Sequence, residues 1–197
     1  VFISVLFDSV NMNRSSTDPG ATEGVIVDRY KVHLQGKPLT LEGNLISPGH
    51  HLPDVTMLTP DINPQRLQEL QGKWLIVSTV PSLDTPVCSA QAQKVNEHAR
   101  ANDAKLSWVV ISEDLPFAQK RWRDEHNCGE LLILSDAHSH SFAKQTGLWI
   151  SELGVLARSV LLVDPEGAVR EVILCSELSE EPNYQPILDA LPSKKAQ

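Results

Sequence analysis

Residues 75–80 (LIVSTV), 106–111 (LSWVVI), 131–134 (LLIL) and 159–164 (SVLLVD) are apolar almost without interruption, and each is about as long as a β-strand. Strands that are apolar on both faces cannot leave one face in water, so a sheet built from them must be covered on both sides. Segments of helical pattern lie between these runs, at 86 to about 102, 117 to about 125 and 142 to 146, and 183–191 makes a last helix. The alternation predicts an α/β fold with a central sheet flanked by helices. A DPEG turn after the fourth run leads into residues 168–174, which adds an antiparallel pair at one side. Upstream, YKVHLQGKPLTLEG alternates apolar and polar residues about Gln35-Gly36-Lys37, predicting an N-terminal β-hairpin.

Residues 29–197 are therefore expected to form one domain. Residues 1–28 read differently: a brief apolar VFISVLF precedes a polar tract containing Gly, Pro and Ser. That stretch is assigned no fold and is expected to be a disordered leader, or the remnant of a targeting or fusion segment. The formal charge of −8, with no stripe of Lys and Arg to offset it, disfavours nucleic acid and an anionic membrane surface as partners. No run approaches the roughly 20 apolar residues of a membrane span. Three cysteines, none in a CxxC pair, are too sparse for a disulfide scaffold or a zinc site built on four cysteines. Cytoplasmic location is the expectation, with export left open by the N-terminal segment.

The stretch with chemical content is Val80-Pro81-Ser82-Leu83-Asp84-Thr85-Pro86-Val87-Cys88-Ser89. It joins the end of a buried strand to the start of a helix, where open α/β sheets place their ligands. Thr85 suits the N-cap, and Pro86 suits the first helical position because its missing N–H would have no partner there. Cys88 then becomes the third residue of the helix. Unpaired backbone N–H groups and the positive end of the helix dipole favour the thiolate there, and the thiolate is the nucleophilic form. Taken singly, Thr85 can be a cap, Pro81 a strand stop and Cys88 a packed thiol. Pro-x-x-x-Thr-x-x-Cys at such a junction is much rarer than its parts.

Pro81, Thr85 and Cys88 match the PxxxTxxC motif of the peroxiredoxins. The strings PSLDTPVC, ISEDLPFAQKRW, LARSVLLVD and EEPNY resemble the thiol peroxidase branch of that family, over about residues 30–191. The resemblance implies a thioredoxin-like fold and a thiol-dependent peroxidase acting on hydrogen peroxide and alkyl or lipid hydroperoxides. It implies that Cys88 attacks the peroxide and becomes a sulfenic acid, with Thr85 holding thiolate and peroxide through its hydroxyl. Pro81 is expected to shield the pocket, and Arg158 to keep the sulfur ionised and polarise the O–O bond. Thioredoxin or another external thiol is the implied reductant, and a homodimer the implied assembly. A thioredoxin-type oxidoreductase would carry CxxC at this junction, but the first of those positions is Thr85.

One position departs from the pattern. Where two-cysteine thiol peroxidases place a resolving cysteine, one aromatic residue after FAQKR, this chain has Arg123. Cys128 is a candidate substitute at the end of the same helix, where Gly129 suits the stop. Five residues is a net rotation of about 140°, so Cys128 reaches Cys88 only through a mobile or unwound segment. The other version is a one-cysteine cycle reduced directly by an external thiol. Cys175 reads as a packed or edge-strand residue. The reading of a different class is a thioredoxin-fold module without turnover, serving as a redox sensor, chaperone or binding unit. His138 with His140, and His50 with His51, read as solvated loop histidines because neither pair has a third ligand at motif spacing. No phosphate-binding glycine loop supports a nucleotide, and no cofactor is expected.

Overall fold

In the computed structural model, which describes residues 31–100 and 104–192, the apolar runs come together in one sheet. The expectation for residues 1–28 lies outside the described residues. In chain order the strands and helices are β1 (Lys31–Leu34), β2 (Lys37–Glu42), β3 (Thr56–Leu58), β4 (Pro64–Arg66), β5 (Trp74–Thr79), α1 (Pro86–Arg100), β6 (Leu106–Ser112), α2 (Pro116–Glu125), β7 (Leu132–Ser135), α3 (Ser141–Thr146), β8 (Trp149–Ile150), β9 (Val155–Leu156), β10 (Ser159–Val163), β11 (Val169–Leu174) and α4 (Gln185–Ala190). A seven-stranded sheet runs β11-β10-β5-β6-β7-β3-β4, and a four-stranded sheet runs β1-β2-β8-β9. β5, β6 and β7 are parallel, whereas β10, β11, β3 and β4 join antiparallel, so the central sheet is mixed.

Strand alternation explains why the runs are apolar throughout. Leu75, Val77, Val109, Ile111, Leu161 and Val163 pack on one face of the sheet, against Phe142 of α3 and Leu41, Ile150 and Leu156 of the smaller sheet. Ile76, Val110, Val160 and Leu162 pack on the other face, against Ala92 and Val95 of α1, Trp122 of α2 and Ile187 of α4. Each such side chain taken from water contributes about 1.5–3 kcal/mol before the entropy of ordering is counted. The cover is thus helical on one face, and shared between α3 and a second sheet on the other.

The hairpin β1–β2 turns through Gln35 and Gly36, both at positive φ (53° and 73°), as a two-residue turn requires. Gly147 ends α3 at φ 68°, and a Cβ there would lie 2.4 Å from the Asn44 backbone. Only glycine lets the hairpin's trailing segment pass so near. α2 ends differently from expectation. Asn127, not Gly129, takes the left-handed conformation (φ 53°), and the Cys128 N–H closes back to the Arg123 carbonyl at 3.0 Å. Among the described residues no helix is long and apolar enough to cross a membrane.

Candidate active site

The buried residues of α1 include Cys88, Gln91, Ala92, Val95 and Asn96, spaced as a single helical stripe. That stripe faces the sheet, which is why the third residue of the helix points inward and Cys88 is only 1% exposed. The loop before it is built by local turns. Both the N–H and the hydroxyl of Thr85 donate to the Ser82 carbonyl (3.1 Å each), and the Ser89 N–H donates to the Thr85 carbonyl at 2.9 Å. Thr85 therefore occupies the N-cap position, but its hydroxyl bonds backward into the loop and its side chain is exposed. Pro81 is half-buried where the chain leaves β5.

Asp114, from the β6–α2 connection, fixes this loop from outside. Its carboxylate accepts from the Ser82 hydroxyl (2.7 Å), the Leu83 N–H (2.7 Å) and the Ser112 hydroxyl (2.8 Å). Asp84 also pairs with Arg121 at 2.9 Å, but both side chains are more than half exposed. Exposed pairs of this kind contribute little to stability.

Arg158, immediately before β10, is 1% exposed, and its Nη2 lies 3.2 Å from the Cys88 sulfur. Nε and Nη2 donate to the Leu178 carbonyl (3.0 and 2.7 Å), and Nη1 donates to Oε1 of Gln91. Gln91 is oriented in turn by donating to the Ser78 hydroxyl at 2.7 Å. No carboxylate among the described residues forms an ion pair with Arg158. A buried charge without a counter-charge is costly. Of the three acceptors of the guanidinium, the Cys88 sulfur is the one able to carry a negative charge. Gln91 and Asp114 were not singled out in the sequence. The available signal for Gln91 was its place three residues after Cys88 on the same helical face.

The other sequence candidates separate. Arg123 turns away to Asp61 (3.0 and 3.3 Å), which also accepts from Lys120 (2.8 Å); these bonds hold the Asp61 carboxyl down at about 2. Cys128 is 1% exposed and shares an apolar cluster with Cys88, and burial pushes its thiol up, partly offset by Arg100. Cys175 is partly buried just past β11, and burial pushes its thiol up to about 11. His140 is not a solvated loop residue. Its Nδ1 lies 2.7 Å from Oε2 of the buried Glu113, and its ring packs on Trp149. Among the described residues no group of three or more His, Cys, Asp or Glu is placed to hold a metal ion.

Comparison with known proteins agrees with this geometry. The family model described as Redoxin matches residues 47–188. A thiol peroxidase of Bacillus subtilis is 38% identical over 160 residues, covering 81% of this chain and 95% of that protein. A thiol peroxidase of Halalkalibacterium halodurans is 39% identical over 159 residues, with the same coverage of both chains. Among solved structures, a peroxiredoxin-like protein from Aquifex aeolicus superposes with a TM-score of 0.76 at 36% identity, over 81% of this chain and 94% of that one. A thiol peroxidase from Chromobacterium violaceum shares the fold, with a TM-score of 0.75 at 19% identity, over 83% of this chain and 96% of that one. With its thioredoxin-like sheet and a cysteine at the strand-to-helix junction, the chain belongs to the Redoxin family, in the thiol peroxidase branch of the peroxiredoxins.

Proposed function

We propose that residues 29–197 act as one peroxidase unit in which Cys88 is the cysteine that attacks the hydroperoxide. The observation that carries this assignment is the Arg158 guanidinium 3.2 Å from a buried sulfur at a helix N-terminus. The thiolate attacks one peroxide oxygen, an S–O bond forms and the O–O bond breaks. The departing oxygen takes a proton and leaves as water or alcohol, and Cys88 becomes a sulfenic acid. Negative charge grows on the departing oxygen as the bond breaks, and a fixed, forked cation stabilises it most at that moment. The Thr85 hydroxyl, donating to Ser82, keeps its lone pairs open to accept the proton of an incoming hydroperoxide. Pro81, at the rim of the loop, limits access of water to the sulfur.

Hydrogen peroxide and alkyl or lipid hydroperoxides are the substrates, thioredoxin or another external thiol the final reductant, and a cytoplasmic homodimer the working form. Membership of the thiol peroxidases supports these assignments. It also weighs against a module without turnover, as does the retention of Pro81, Thr85, Cys88 and Arg158 together. The test is hydroperoxide consumption with dithiothreitol as reductant. Cys88→Ser is expected to fall to the uncatalysed background; a wild type no faster than Cys88→Ser ends the assignment.

A further inference from the structure

Once Cys88 has become a sulfenic acid, a thiol must remove its oxygen, and Arg123 stands where the family resemblance implies a second cysteine. We propose that Cys175 is the thiol that closes onto oxidised Cys88, so that the chain completes an internal two-cysteine cycle with a partner from the end of β11. The proposal rests on Cys88 being the residue that attacks the peroxide.

Placement in the sheet carries it. The β10–β11 register pairs Ser159 with Leu174, so the next pair outward sets Arg158 opposite Cys175, and the Cys175 N–H donates to the Arg158 carbonyl at 3.0 Å. Directly opposed residues of an antiparallel pair project to the same face. The strand alternation agrees: Leu174 packs in the cluster on the far face of the sheet, whereas Ile173 packs in the cluster that contains Cys88. Cys175, two residues on from Ile173, falls on Cys88's side. From this side Arg158 reaches the Cys88 sulfur, and the same guanidinium acts on the Cys175 thiol, opposed by Glu180. Cys128 feels a different cation, Arg100, which is the last residue of α1 while Cys88 is the third. Cys175 also stands just beyond an edge strand, at the start of a loop. A disulfide needs Cα atoms within about 7 Å, and a strand end can shift to meet that more readily than a residue inside a closed helix terminus.

The charge balance sets the order of events. The attacking form of Cys88 is a thiolate facing Arg158, while burial keeps Cys175 protonated and inert. Oxidation converts Cys88 to a neutral sulfenic acid, which leaves Arg158 without an anion. The Cys175 sulfur is then the group whose ionisation restores the balance. Its thiolate attacks the Cys88 sulfur, an S–S bond forms and the S–O bond breaks. The departing hydroxide takes up the proton Cys175 released, so the net products are the disulfide and one water. Two electrons from an external dithiol then return both cysteines to thiols.

The experiment treats wild type, Cys88→Ser, Cys128→Ser, Cys175→Ser and Cys175→Ala with equimolar hydroperoxide, without reductant. Peroxide loss is followed, and cysteine peptides are mapped by mass spectrometry with a sulfenic-acid trap. Circular dichroism establishes that each variant is folded. A Cys88–Cys175 bond within one chain is expected in wild type and Cys128→Ser. Loss of that bond, with accumulation of trapped Cys88 sulfenic acid, is expected in both Cys175 variants. A Cys88–Cys128 bond, a bond between chains or a persistent sulfenic acid in the wild type overturns the proposal while leaving Cys88 as the peroxide-attacking residue. Peroxide loss that is absent in wild type, or undiminished in Cys88→Ser, removes the peroxidase assignment and this proposal with it.

Discussion

Arg158 holds a full charge at 1% exposure with a carbonyl, an amide oxygen and one sulfur as its acceptors. The planar fork matters as much as the charge, because separate N–H groups reach Cys88, Gln91 and Leu178 at once. Arg158→Lys keeps the charge and loses the fork. Its kcat/KM for hydroperoxide is expected to fall by about 10²–10³-fold, the usual cost of losing one preorganised donor at a developing charge. The rate of Cys88 alkylation by iodoacetamide should fall much less, since the cation near the sulfur remains. Equal losses in both assays would show that the fork acts on the sulfur and not on the departing oxygen, and no loss in either that the charge alone matters. Of the residues proposed for the site, Pro81, Thr85 and Cys88 were singled out in the sequence by spacing and Arg158 by resemblance. Gln91 and Asp114 were not, because a polar residue on a helix or in a loop reads as solvated until the fold shows what it touches. Gln91 is fully buried against Arg158, and Asp114 receives three hydrogen bonds from the loop and its own connection.

Between elements, buried carboxyls tie the start of α3 to the connections that follow β6 and β7. Asp136 accepts the Ala143 N–H at 2.9 Å near the beginning of α3, and Glu113 lies against His140. Burial pushes Glu113 up to about 7, against the lowering effect of His140, and burial raises Asp136 as well. The folded chain therefore keeps the Glu113 proton that the unfolded chain loses near pH 4.5. Stability from the neutral carboxyl is fully present below pH 4.5 and is lost as pH rises through about 7. Glu113→Gln fixes the neutral form. Thermal melts should show the wild type losing about 2 kcal/mol relative to this variant between those limits, and no more above them. Parallel stability curves would exclude the shift. The same scale separates what the sequence reveals of the fold. β5, β6, β7 and β10 are apolar runs of strand length and β11 follows a DPEG turn, so their signals are local. β3, β4, β8 and β9 span two or three residues each and exist only because a distant partner completes their hydrogen bonds, so no local pattern announces them.

Across the whole molecule, the N-terminal hairpin is tied to the reactive centre by one short segment. His33 donates to Ser176 and accepts from Leu178, both at 2.8 Å, while the Glu177 carboxylate accepts the Gln35 and Gly36 N–H groups at 3.1 Å each. The next carbonyl, Leu178, receives two N–H groups of Arg158. The hairpin turn thus fixes the segment that fixes the guanidinium. Hydrogen bonds from Ser179 and the Gly36 and Gln35 N–H groups hold the Glu177 carboxyl down at about 2. Its ionised latch is therefore complete above about pH 4.5 and is lost as pH falls through about 2. Glu177→Ala removes the acceptor without touching the reactive residues. Amide exchange should rise at residues 33–36 and 176–178, and kcat/KM for hydroperoxide should drop about tenfold, since small displacements of a positioning group are costly at a reacting centre. Faster exchange with an unchanged rate would mean that the hairpin is latched but does not position Arg158. Unchanged exchange would remove the latch itself. Only the paired result makes the Gln35–Gly36 turn a determinant of the chemistry at Cys88.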